Sequence, residues 1–397
     1  MEINLSAPEV DADPHAFFHA LRARGQVHWS DRHRGWLVVS HVAVNEGFRA
    51  PWLSSERMPV FERVAAKRPP EFARVVDLLR GWMVFRDPPA HERLRDPVRR
   101  VFTPMRLERL APMIERTTDE LLDALADAGG GSLQAQLSSP LPALVIADLL
   151  GVPRADRTEF QTWSDQLASV VFTAEQRDAD GAAAIEAADR FTTYFDELIA
   201  ERRRHPGDDA ISALLDESRG RGPQGVELVG ACTLLLFAGH ETTAGLLANA
   251  SCLLFENADA RVALASDPTL WPGAVDEFMR LAGPANVMVR KSTMDREWHG
   301  QAVKAGDTVY LGILAAGRDP AVFDHPDVLD VRRDPNPHFG FGWGLHHCLG
   351  AALARLEARI ALRRLFERFP RLAPSAPYRW GGGLIGRAVS PVTVSLN

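Results

Sequence analysis

Helical periodicity governs the middle of the chain. In Leu107 to Ala128 the apolar residues Leu107, Leu110, Ile114, Leu121, Leu122 and Leu125 recur at three- and four-residue steps, which places them on one face of an amphipathic helix. Similar patterns cover much of the region from Arg93 to Arg280. Leu228 to Phe255 differs, being apolar almost throughout, and is interrupted at its middle by His240 and Glu241. Strand-like runs are few and sit toward the ends: Val27 to Trp29 with Trp36 to Ser40, Val287 to Arg290, Thr308 to Ile313, and Val389 to Leu396. The pattern predicts a mainly α fold with minor β sheets.

Between Arg318 and Phe341 the periodicity fails, because Pro320, Pro326, Pro335 and Pro337 are spread through a segment with little apolar repeat. Compact domains usually keep so long an irregular loop for a functional reason. The polar stretches Asp127 to Ser132, His205 to Asp209 and Ser218 to Gly225 are short enough to be surface loops, so one domain over 1–397 is expected. The long apolar run reads as a buried core helix, since His240 and Glu241 would be costly in lipid. Met1 to Asp13 shows acids and prolines and no basic region followed by an apolar run, which predicts a cytoplasmic protein without membrane attachment.

Composition narrows the function classes. The 397 residues are 46% hydrophobic and 24% charged, enough to bury a large core. A formal net charge of -7, with no zinc-finger spacing and no internal repeat, argues against a nucleic-acid partner. Of the three cysteines, Cys232 and Cys252 lie in one predicted helix, roughly 30 Å apart at helical rise, so they cannot pair. Small-molecule chemistry is the leading class.

Four constellations carry candidate chemistry. Phe341-Gly342-Trp343-Gly344-Leu345-His346-His347-Cys348-Leu349-Gly350 is a glycine-punctuated loop opening onto a predicted helix, Ala351 to Phe366. Glycines let the backbone turn tightly and approach a flat ligand. A cysteine near a helix N-terminus is favoured as thiolate, a good ligand for a soft or borderline metal. Local chemistry leaves a reactive or metal-bound Cys348 and an inert buried cysteine both open; zinc lacks a fourth ligand nearby. In Ala238-Gly239-His240-Glu241-Thr242-Thr243 an acid and a hydroxyl interrupt the apolar helix, either for function or as a buried Glu paired elsewhere and a Thr bonded to its own helix. Glu277 and Arg280 share a helical face, as do His91 and Arg95; both pairs can equally be solvated surface charge.

The run Phe341, Gly344, His346, Cys348 and Gly350 resembles the haem-binding signature of the cytochrome P450 family in its soluble bacterial form, and the likeness extends over most of the chain. The resemblance implies a fold in which haem b is buried between the long central helix and the cysteine loop, with Cys348 as proximal iron ligand and Gly350 beside it. It implies that Ala238, Glu241 and Thr242 lie over the distal face, where the acid and hydroxyl serve proton delivery to dioxygen. His91, Arg95, Arg290 and His346 would hold the two propionates by charge-assisted hydrogen bonds. Glu277 and Arg280 match the family's Glu-x-x-Arg motif, with Arg333 as the candidate third member. Ala315-Ala316-Gly317-Arg318-Asp319 departs from it, with Gly where many relatives place Asn.

The activity so implied is insertion of one oxygen atom into a small, apolar organic substrate. Electrons would come from a separate ferredoxin and ferredoxin reductase, since the 397 residues show no flavin or ferredoxin domain. A basic stripe of Arg355, Arg359 and Arg363 is a candidate docking face, with a solvated helix face as the alternative. A peroxide-driven peroxygenase and a non-catalytic haem sensor are the rival readings. Candidates for the substrate pocket are Trp82, Met83, Val84, Phe85, Leu234, Leu235, Val287, Met288, Leu384 and Ile385, any of which can equally be core.

Overall fold

The computed structural model describes residues 2–153, 156–171, 181–217 and 222–396 and is mainly helical, with β-structure confined to small sheets. The helices that matter most here are α1 (Ala90–Arg99), α2 (Pro104–Asp127), α3 (Val226–Glu256), α4 (Trp271–Ala282) and α5 (Ala351–Arg368). The chain packs as two compact units, one of Met1–Ser54, Ala111–Leu141 and Glu241–Asn397, the other of Ser55–Leu110 and Pro142–His240. Two of the divisions fall inside α2 and α3 rather than in linkers.

The first unit holds a five-stranded sheet of β1 (Val27–Ser30), β2 (Gly35–Val38), β3 (Leu53–Ser54), β4 (Met288–Ser292) and β5 (Thr308–Leu311), in the order β1-β2-β5-β4-β3. β2 and β5 pair in parallel and the other neighbours are antiparallel. A Cβ on Gly35 would lie 2.7 Å from the Thr308 carbonyl oxygen, so this crossing of β2 and β5 requires glycine. Trp36, Val38, Trp52, Trp298, Val309 and Leu311 pack with Phe339 of the irregular loop into one apolar cluster, which ties that loop to the sheet.

The amphipathic stripe of α2 is buried as its spacing predicts, at Leu107, Ile114, Leu122 and Leu125. Its polar side pairs with α5: Arg364 meets Glu115 at 3.1 Å and Asp119 at 2.8 Å, and Arg368 meets Asp123 at 2.6 Å. Four-residue spacing on both helices sets this ladder. Each partly exposed pair is worth at most about 1 kcal/mol, so the ladder fixes register more than it stabilises.

Two expectations at the β-portion change. Asp127 to Ser132 is not simply a loop: Gly130–Ser132 forms a strand against Thr393–Ser395, which also pairs with Ala373–Pro374. Gly130 has a φ of 118°, and a Cβ there would sit 2.3 Å from the Val394 carbonyl oxygen, so glycine serves close strand approach. Val389 to Leu396 divides between two sheets, because Ala388–Val389 pairs instead with Trp380–Gly381. Of Ser218 to Gly225, residues 218–221 lie outside the described residues.

In the second unit, Gly81 and Gly230 let the helix Ala73–Arg80 meet α3 at backbone distance: a Cβ on Gly230 would fall 2.3 Å from the Leu78 carbonyl oxygen. Arg93 of α1 donates two hydrogen bonds of 2.6 Å to Glu227, joining α1 to the same stretch of α3. By length and composition α3 is apolar enough to cross a membrane, yet its most apolar window is 67% buried inside the protein, as a core helix is. Cys232 and Cys252 are buried on it, and burial pushes both thiols up to about 12, which keeps them protonated and inert.

Candidate active site

The irregular segment after Arg318 contains neither helix nor strand up to the short turn at Gly344–His346, and its order comes from two adjacent acids on α4. Glu277 and Arg280 are 0% and 1% exposed. The Glu277 carboxylate accepts hydrogen bonds from Arg280 Nε and Nη2 (2.7 Å each), Arg333 Nε (3.2 Å), Asn336 Nδ2 (3.0 Å) and the Asp330 N–H (2.9 Å). Arg280 also donates to the carbonyls of Gly317 (2.7 Å) and Val328 (3.1 Å). The surface-pair reading of Glu277 and Arg280 is therefore set aside: charges this deeply buried persist because every lone pair and proton has a partner. A Cβ on Gly317 would lie 2.8 Å from the Arg280 carbonyl oxygen, so the departure from Asn accompanies a close approach of this turn to α4.

Asp276, next along α4, holds the other end of the segment. It accepts from His338 Nε2 (3.0 Å) and from Arg355 Nε (2.9 Å) and Nη2 (2.8 Å). Burial raises the Asp276 carboxyl, and the hydrogen bonds from His338 and Arg355 outweigh it and hold it below the usual carboxylate value. Neither Asp276 nor His338 stands out in the sequence; the adjacency of Asp276 to Glu277 was the one signal that could have found them.

Beyond this anchor the chain turns through Gly342 and Gly344, both left-handed with φ of 68° and 72°. The Cys348 N–H donates to the Phe341 carbonyl at 2.9 Å, and Gly350 caps α5. Cys348 is exposed, unlike the other two cysteines, so the inert buried reading fails. A Cβ on Gly350 would meet nothing within 4 Å, leaving that side of the loop open to a flat ligand. Among the described residues no group of three or more His, Cys, Asp or Glu side chains could hold a metal ion, which leaves zinc without a ligand set. An accessible sulfur on a glycine-turned loop ahead of a helix N-terminus fits haem, whose iron needs one protein thiolate from this side.

On α3 the residues Leu234 to Phe237, His240 and Thr243 are buried, whereas Ala238, Glu241 and Thr242 are exposed. Their spacing puts these three on one face, a small-and-polar window in an apolar helix. The alternative of a buried Glu241 is not found. A Cβ on Gly239 would lie 2.9 Å from Ile146 Cγ1, which shows how closely the neighbouring face is packed.

His91 is 1% exposed and Arg95, one turn later, is half-buried, so α1 does not present the pair as a solvated basic face. Burial first, then the Arg95 charge, hold the His91 imidazole below its ordinary value and favour the neutral ring. Arg290 on β4 and His346 are half-buried, and the Arg290 guanidinium lies 5.8 Å from the Phe48 ring centroid. Arg290, His346, Cys348, Gly350, Glu241 and Thr242 belong to the first unit, and His91, Arg95 and Ala238 to the second.

Other candidates sort differently. Trp82, Met83, Leu234, Leu235 and Val287 are core residues, with the Trp82 ring stacked on Phe85 and tilted against Phe237. Val84 and Ile385 are exposed and Phe85, Met288 and Leu384 half-buried. The expected basic stripe is interrupted: Arg355 is bound to Asp276 and Arg363 to Glu367 at 2.7 Å, with Arg359 exposed between them.

A family model described as Cytochrome P450 matches residues 269–375, the stretch that contains Glu277, Arg290 and Cys348. The cytochrome P450 monooxygenase PikC of Streptomyces venezuelae is 37% identical over 386 residues, covering 94% of this chain and 88% of its own. The vitamin D(3) 25-hydroxylase of Pseudonocardia autotrophica is 37% identical over 370 residues, covering 91% and 87%. The solved structure of P450BioI in complex with a hexadec-9Z-enoic acid-ligated acyl carrier protein superposes with a TM-score of 0.89 at 31% identity, covering 98% of this chain and all of that one. CalO2 reaches 0.92 at 28% identity, covering 100% and 99%. The chain therefore belongs to the cytochrome P450 family of haem b monooxygenases, enzymes that consume dioxygen and oxidise organic substrates.

Proposed function

We propose that the whole chain acts as one haem domain in which the Cys348 thiolate ligates the iron and an apolar organic substrate is oxidised with electrons from a separate ferredoxin and its reductase. The exposed Cys348, held by its N–H on the glycine-turned loop ahead of α5, is the observation that carries this reading. Bound haem supplies dioxygen activation, which a thiolate ligand promotes by favouring O–O cleavage. His91, Arg95, Arg290 and His346 would bind the propionates, and Gly350 and Ala238, lacking bulk, would each allow close approach of a flat ring. The proposed location is cytoplasmic; burial of α3 within the protein is that of a core helix rather than a membrane span.

An apolar substrate is supported by the partly exposed Val84, Phe85, Met288, Leu384 and Ile385, and by the fatty acyl and vitamin D chemistry in the names of P450BioI's complex and the 25-hydroxylase. A redox partner is supported by Trp343 and Leu345 on the cysteine loop, 44% and 56% exposed, with the Arg49 guanidinium 5.7 Å from the Trp343 ring. Aromatic and arginine side chains together suit an interface with an acidic protein. The test is reconstitution with a ferredoxin, its reductase and reduced nicotinamide. Compounds that drive the ferric haem spectrum toward high spin are expected to accelerate nicotinamide consumption and yield a product heavier by one oxygen. Product formed with hydrogen peroxide alone, at the same rate, would overturn the electron-partner reading.

Glu241 and Thr242 are proposed to handle protons. Thr242 Oγ1 would hold dioxygen or a bridging water by a hydrogen bond, and the exposed Glu241 carboxyl would exchange protons between solvent and that site. Thr242→Ala is expected to bind haem and substrate normally while diverting most nicotinamide to hydrogen peroxide. Glu241→Gln is expected to slow turnover by about a hundredfold, the lower end of general acid–base contributions, with a larger solvent isotope effect. Wild-type coupling in Thr242→Ala would move the role to another residue or to ordered water.

A further inference from the structure

α4 carries two adjacent acids that grip opposite halves of one loop. Glu277 organises Asp330 to Asn336, and Asp276 organises His338 to Phe341. His338 Nδ1 accepts the Gly340 N–H at 3.0 Å, so the proton on Nε2 is the one donated to Asp276, and the ring has a single tautomer. Arg355, tied to Asp276 through Nε and Nη2, stacks its guanidinium 4.2 Å from the Phe341 ring centroid, and the His338 ring lies 5.9 Å from that ring. Phe341 is in turn the residue whose carbonyl accepts the Cys348 N–H.

We propose that Asp276, His338 and Arg355 form a second anchor of the cysteine loop, positioning Phe341 and thereby Cys348, and that the charge balance between Asp276 and Arg355 sets how readily the bound haem accepts an electron. The inference rests on Cys348 as the iron ligand. A cation beside the loop favours the reduced centre, because reduction adds negative charge; an anion opposes it. In the intact pair the two offset one another. Removing either partner unmasks the other, so the two single variants must move the equilibrium in opposite directions.

The experiment is a spectroelectrochemical titration of the substrate-free, haem-loaded protein. At a fixed applied potential, Arg355→Gln is expected to lower the ratio of reduced to oxidised haem several-fold, Asp276→Asn to raise it several-fold, and the double variant to return near wild type. A loop that is merely loosened would move both single variants the same way, and that result, or no shift in either, overturns the proposal. Should Asp276→Asn fail to load haem, Arg355→Lys gives the answer: it keeps the cation and is expected to titrate near wild type, and a shift as large as that of Arg355→Gln rejects the charge balance. The carbon-monoxide spectrum of the reduced wild type separates the two layers. Without the red-shifted Soret band of thiolate ligation the ligand assignment itself falls; with that band and same-sign shifts, only the anchor falls.

Discussion

Glu277→Gln is expected to destabilise the haem-loaded protein by about 3–5 kcal/mol, the usual consequence of removing one partner from a buried ion network. Every contact of this carboxylate is a donor: two guanidinium groups, the Asn336 amide and the Asp330 N–H. Glutamine brings its own N–H2 group into that ring of donors, so it loses the charge and also opposes at least one proton directly. Arg280 has no exposed side-chain surface through which water could compensate. The effect should be read from the denaturant midpoint, with haem retained per polypeptide as a second measure. Because Arg280 and Arg333 reach the loop carbonyls of Gly317, Val328 and Asp324, loosening this network should also release haem. A loss below about 1 kcal/mol with full haem content would mean that the network is dispensable, as exposed pairs usually are.

The sequence revealed elements whose pattern is local and long. The stripe of α2, the apolar run of α3 and the proline-rich gap before Phe341 each depend on spacing alone, and all three stand in the structure. Leu53–Ser54, Gly130–Ser132 and Ala373–Pro374 were not legible, because strands of two or three residues are defined by partners far along the chain. Ile313, read as strand, instead opens a four-residue helix once β5 ends at Leu311.

The site divided along the same line. Cys348, the Glu241–Thr242 pair and the Glu277–Arg280 spacing are local motifs, visible in a few residues. Exposure is not local: Glu241 is open on a mostly buried helix, and of the apolar residues that could be either pocket or core, Trp82, Met83, Leu234, Leu235 and Val287 are buried. Apolar character alone cannot separate a pocket lining from a core contact. The Asp276 cluster joins residues 62 and 79 positions apart, a juxtaposition that no periodicity encodes. It also takes Arg355 out of the basic stripe that a four-residue spacing predicts.

Haem-thiolate ligation by Cys348 is tested most directly by comparing the reduced, carbon-monoxide-bound spectra of the wild type and Cys348→His. Cys232 and Cys252 are buried and held as thiols, so neither can take over as ligand. The wild type is expected to show the strongly red-shifted Soret band of thiolate ligation. Cys348→His is expected to lose that shift entirely and to lose monooxygenase turnover with it, even where haem stays bound through the imidazole. The same red-shifted band in both proteins would contradict ligation by Cys348.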